Sequence, residues 1–135
     1  MDVYSTIQLQ LQEVFNKIND TSINLASARN ELIKAEKYIE TLDKGYEESK
    51  AAFKYVKNND VVSMSAYVDT ANRTEGVDKA RTDAKVAKLV WEQKVRGFTK
   101  EMASLKAQYA VLEAKMKAAG NNVTNIEEAN EHSGR

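Results

Sequence analysis

The chain contains no cysteine and no proline in its 135 residues. Without cysteine there is no disulfide framework, no thiolate zinc site and no cysteine nucleophile. Without proline nothing in the chain forces a helix interior to stop or kink. Glycine is sparse, and Gly45, Gly76, Gly97, Gly120 and Gly134 stand alone, so no glycine-rich loop is present to cradle a phosphate. The single histidine, His132, lies near the C-terminal end, and no His, Asp and Glu set has metal-ligand spacing. No window approaches the roughly 18 consecutive apolar residues of a membrane span. Net charge is also missing: 20 basic residues balance 20 acidic ones.

The remaining acids give little catalytic signal. Glu36 and Glu40, and Asp43 and Glu47, form carboxylate pairs at helical spacing, but Lys37 and Lys44 alternate with them. Metal-binding helical bundles add inward histidines in a Glu-x-x-His pattern, and none occurs here. A solvated, ion-paired face is the expectation. The chain is expected to be no enzyme and to hold no cofactor or metal.

What is abundant is heptad periodicity. Every seventh residue from Tyr4 is apolar or aromatic: Tyr4, Leu11, Ile18, Leu25, Leu32, Ile39, Tyr46 and Phe53. Three residues further on stand Ile7, Val14, Thr21, Ala28, Ala35, Leu42, Ser49 and Val56, six of the eight apolar. This 3-4 spacing marks a coiled-coil seam and not a strand. Ser5 and Gln8 read as a capping box, which predicts helix one over about 5–57. A second seam runs through Trp91, Val95, Phe98, Met102, Leu105, Tyr109, Leu112, Met116 and Ala119. Val77, Ala80, Ala84 and Ala87 extend it upstream, with two successive steps of four, from Ala87 to Trp91 and from Trp91 to Val95, that read as a stutter.

Between the seams lies Lys57–Asp60, KNND, where Asn and Asp favour a turn. Asp60 or Ser63 is placed to cap the following helix. A reversal at 58–60 leaves two arms of nearly equal length, which pair along their whole extent. The predicted fold is therefore all-α, a long antiparallel two-helix coiled-coil hairpin over residues 1–119. Its turn is at 58–60, and helix two covers about 61–119 with a possible break at 72–76. Gly120 with Asn121 and Asn122 reads as a helix stop, and 120–135 as a polar, disordered tail. Gly45 and Gly97 fall inside the helices, where glycine costs about 1 kcal/mol against alanine. Close packing of a neighbouring backbone or ring is the favoured explanation, and a flex point the other.

Several apolar residues fall off the seams, and they predict association into a helical-bundle oligomer, a dimer first. The candidate oligomer face is Leu9, Ile23, Ile33, Ala107, Val111 and Ala114. The candidate partner-binding tip is Val61, Val62, Met64, Tyr67 and Val68, with local hairpin core as its alternative. Residues 84–119 carry eight basic and three acidic residues. Lys85, Lys88, Arg96 and Lys100 are therefore a candidate basic face. Nucleic-acid binding remains a weaker expectation, because Trp91, Phe98 and Tyr109 are seam residues and not exposed stacking platforms.

The bend is similar in outline to the helical hairpins of periplasmic membrane-fusion adaptors. There an Arg, a Leu and a Ser or Thr stand at spacings of four and seven. Here those positions are Ala52, Val56 and Ser63, so the arginine is missing. Hairpins of this length also serve in prefoldin-type chaperones, secretion chaperones and stalks, and phage assembly proteins. The expected function is a non-enzymatic interaction protein: an adaptor, assembly factor, chaperone or inhibitor acting through a protein partner, itself, or both. The alternatives are a structural component of a phage virion or secretion apparatus, and a nucleic-acid-binding accessory protein. The opening MDVYSTIQLQLQEV lacks a basic stretch followed by an apolar core. The expectation is a cytoplasmic protein, virion-associated if phage-encoded.

Overall fold

The structure, a computed structural model, describes residues 2–59 and 63–133, with 121–133 described by backbone alone. It has two helices, α1 (Val3–Lys57) and α2 (Met64–Ser133), packed against each other as an all-α helical hairpin. Falling numbers in α1 meet rising numbers in α2: Phe53 stacks on Tyr67, Ser49 bonds Thr74, and Gly45 lies beside Val77. The helices are therefore antiparallel. No helix is long and apolar enough to cross a membrane among the described residues.

Local chemistry sets the helix starts. Asp2, and not Ser5, caps α1: its Oδ1 accepts a 2.7 Å hydrogen bond from the Ser5 backbone N–H. The predicted capping box is thus displaced by three residues, with Ser5 as the bonded third position and not the cap. That same backbone bond, aided by the Ser5 hydroxyl, holds the Asp2 carboxyl below its ordinary range. The cap favours the folded chain above the usual carboxylate pKa, and its contribution disappears as pH falls through the lowered value. At α2, Ser63 Oγ accepts from the Ala66 N–H at 3.2 Å, which settles one of the two capping candidates. The other, Asp60, lies outside the described residues. Lys54 and Lys57 close the last turn of α1, where cations offset the carbonyl end of the helix dipole.

Two expectations for α2 are corrected. The helix runs unbroken through 72–76. There the Thr74 hydroxyl sits 2.8 Å from the Thr70 carbonyl and 3.2 Å from the Ser49 carbonyl, so this low-propensity stretch is tied to both helices. The backbone also stays helical past Gly120 to Ser133, where a stop and a disordered tail were expected. Glycine costs a helix only about 1 kcal/mol, and with no proline after it the helix has no steric reason to end.

The chain divides into two compact units, residues 1–26 with 96–135, and residues 27–95. In the first, Ile7, Val14, Leu25 and Leu105 are buried, and Leu11, Ile18, Met102, Tyr109 and Leu112 are half-buried. In the second, Ala28 and Ile39 of α1 are buried with Ala84 of α2, together with the polar Ser49. Every α1 seam position from Ile7 to Val56 is sheltered; only Tyr4, at the start, is exposed.

The stutter does not exist. Ala87 is exposed, and Lys88 occupies its place on the seam at partial burial. Val77, Arg81, Ala84, Lys88, Trp91 and Val95 then follow an uninterrupted 4-3 rhythm. The seam of the second unit is accordingly more polar than the alanines suggested.

Neither interior glycine marks a close approach. A Cβ on Gly45 would lie 3.9 Å from Val77 Cγ1, an ordinary contact, and one on Gly97 would meet nothing within 4 Å. Both have negative φ. Gly45→Ala and Gly97→Ala are each expected to raise stability by about 0.5–1 kcal/mol. A thermal melt of either variant that falls below the parent would overturn this account.

Candidate interaction surfaces

The tip belongs to the second unit. Tyr67 packs on Phe53 with ring centroids 5.3 Å apart, and so closes the end of the hairpin. Met64, at 75% exposure, and Val68 do not join that contact and stay open to solvent. Tyr55, not singled out from the sequence, is also exposed, on the last turns of α1. Val61 and Val62 lie outside the described residues. Tyr67, although partly exposed, meets α1 through Phe53, while Met64 and Val68 are open to solvent.

The six residues of the expected oligomer face are all exposed. In the first unit, Ala107 and Val111 line an open groove floored by Val14 and Leu112 and edged by Glu13 and Lys17. Leu9 borders a separate depression with Ser5, Gln8 and Gln12. Ile33 belongs to the second unit, in a hollow with Ile39, Glu40 and Lys88.

The expected basic face is partly neutralised. Lys85 Nζ lies 3.9 Å from Asp43 Oδ1, and Lys88 Nζ lies 3.6 Å from Glu92 Oε1. Arg96 and Lys100 are exposed on the first unit. Lys94 is drawn onto the Trp91 ring at 4.4 Å. A cation turned toward an internal acid or ring offers a phosphate less than its formal charge implies.

A polar cluster lies in the seam of the second unit. The Arg81 guanidinium covers the Tyr46 ring at 3.9 Å, donates to Asp78 at 2.9 Å and pairs with Asp43 at 3.7 Å. Asp43 Oδ1 is buried and accepts no hydrogen bond, so it faces two cations at ion-pair distance without being bonded to either. The joint contacts of Arg81 explain how a charged residue holds a seam position: its stem packs, and its head is paired. Among the described residues no group of three or more His, Cys, Asp or Glu is placed to hold a metal ion.

Sequence reasoning missed one further surface. Val86, Leu89 and Val90 stand exposed together on α2 in the second unit. Their i, i+3, i+4 spacing was visible, but with Ala87 assigned to the seam the outer face could not be located. Placing Lys88 on the seam puts these three on the side away from α1.

Compared with protein families, curated proteins and solved structures, the chain matches none of them.

Proposed function

We propose that this chain is a non-enzymatic helical-hairpin interaction protein, acting as an adaptor, assembly factor, chaperone or inhibitor, and that its tip grips a protein partner. The observation that carries this reading is the exposure of Tyr55, Met64 and Val68 near the bend, whereas Tyr67 packs on Phe53. Tyrosine offers a rigid amphipathic surface and methionine an adaptable one, and both are enriched where proteins bind. Fully removing such a side chain from water contributes about 1.5–3 kcal/mol, so a few of them suffice for a specific contact.

The test is the Tyr55→Ser/Met64→Ser double variant. Because both residues are exposed, the melting temperature should stay within the range of surface changes, about 0.5 kcal/mol in stability. Capture of partner protein from a lysate of the native host, quantified by mass spectrometry against the parent chain, should fall at least tenfold. Unchanged capture would sink the tip reading. A large fall in melting temperature would assign these residues to the hairpin itself.

A further inference from the structure

The outer face of α2 in the second unit carries an apolar patch with an ordered charge border. Val86, Leu89 and Val90 are 57%, 56% and 46% exposed. Residues three and four apart on a helix are surface neighbours, so the three side chains form one continuous strip. Thr82 and Gln93, polar but uncharged, continue the strip at its two ends. The seam residues Arg81, Ala84, Lys88 and Trp91 are sheltered and mark the opposite side, and Glu92, half-buried beside Lys88, lies at the flank between the two.

The border reads Asp83, Lys85, Glu92, Lys94. The signs alternate, and they are antisymmetric about the point midway between Lys88 and Leu89, which lies within the patch. Two such helices laid face to face and antiparallel, related by a two-fold axis through that point, set Asp83 of one copy opposite Lys94 of the other. They set Lys85 opposite Glu92 in the same way. Symmetry repeats each pair, and all four contacts join opposite charges. Parallel pairing would set each edge against the opposite one, Asp83 beside Lys85 and Glu92 beside Lys94, and the charge-swap variants below separate the two orientations. A uniformly acidic or basic partner would meet as many like charges as unlike ones along this border. The pattern is complementary to a second copy of itself.

The present partners of these charges do not stand in the way. Lys85 and Glu92 hold their neighbours at 3.9 Å and 3.6 Å, and Lys94 lies over the Trp91 ring. These are electrostatic approaches and not short hydrogen bonds, so each charged head is able to serve a second copy as well. We propose that the outer face of α2 over residues 82–94 is a self-association surface that takes a second copy of this chain, antiparallel, across a two-fold axis. One helical strip per copy falls short of the roughly 1,200 Å² of a standard stable interface. The dimer should therefore be a weak one, with a dissociation constant of about 1–100 µM. This surface is separate from the tip, and the Tyr55→Ser/Met64→Ser variant should dimerise like the parent.

Sedimentation equilibrium of the full chain, from about 1 to about 300 µM and so past the weakest association inferred above, tests the proposal. The parent should shift from monomer to dimer, and Leu89→Lys should remain monomeric throughout. Asp83→Lys and Lys94→Asp singly should each weaken association by about tenfold, since each turns two attractive contacts repulsive. The double variant Asp83→Lys/Lys94→Asp should recover the parental constant. All three positions are exposed, and circular dichroism checks that helicity is unchanged. A parent that stays monomeric, a dimer indifferent to Leu89→Lys, or a double variant no stronger than the single ones would each overturn the proposal.

Discussion

Leu105→Ala is expected to lower the stability of the folded chain by about 2–3 kcal/mol, among the largest effects of any single truncation. Leu105 is 6% exposed, the least exposed of the buried leucine, isoleucine and valine residues. It occupies the α2 seam of the first unit, whose α1 side supplies the buried Ile7, Val14 and Leu25. Removing a buried leucine costs the lost transfer energy plus a term for the cavity left behind, together about 2–5 kcal/mol. The low end applies here for a structural reason. Two helices enclose a seam from two sides only, and no large side chain among the described residues is fully buried. The site therefore relaxes, and water reaches it, more easily than in a closed core. The measurement is urea unfolding, at a protein concentration low enough that self-association contributes nothing. The midpoint should move with the slope unchanged. Leu89→Ala, on the outer face, is the control and should stay within about 0.5 kcal/mol of the parent. A Leu105→Ala loss no larger than that control would mean the heptad seam is not what holds the first unit together.

That seam was legible before any coordinates because a heptad repeat is a local property of the chain. Eight consecutive apolar residues at spacing seven leave α1 one way to present a continuous stripe, and the stripe is where the burial lies. The errors arose where packing overrides residue type. Arg81 and Lys88 sit on the α2 seam because long basic side chains bury their stems while their heads find Tyr46, Asp43, Asp78 and Glu92. A search for apolar residues passed over both and took Ala87, which created a false stutter. Asn72 to Gly76 has the composition of a break, but tertiary contact outweighs helix propensity, and Thr74 supplies that contact through the Ser49 carbonyl. The surfaces follow the same logic. Met64, Tyr67 and Val68 stood out as apolar residues next to a turn. Val86, Leu89 and Val90 could be recognised as a face only once Lys88 had been placed on the opposite one.

Arg81→Ala is expected to destabilise the chain by about 1.5–2 kcal/mol, through loss of packing and through what it leaves behind. The guanidinium serves three partners: the Tyr46 ring at 3.9 Å, Asp78 at 2.9 Å and Asp43 at 3.7 Å. A cation over an aromatic ring is worth about 0.5–2 kcal/mol depending on desolvation. The carboxylate pairs are worth less than their number suggests, because the Asp43 and Asp78 side chains are 46% and 47% exposed and water screens them. The larger consequence falls on Asp43, whose buried Oδ1 would keep only Lys85, at 3.9 Å, and still no hydrogen bond. Leaving one partner of a sheltered pair unmatched costs more than removing both. It follows that Asp43→Ala/Arg81→Leu, which removes the charges together and fills the seam position, should be more stable than Arg81→Ala alone. Arg81→Lys should recover only part of the loss, since an ammonium lacks the planar fork that stacks on Tyr46 and reaches two carboxylates at once. Lys34→Ala, which breaks the exposed Lys34–Glu31 pair, should change stability by no more than about 0.5 kcal/mol. Urea midpoints of these variants decide the matter. If the double variant is the less stable, or if Arg81→Lys matches the parent, the cluster is a set of surface charges and the seam position of Arg81 depends on its stem alone.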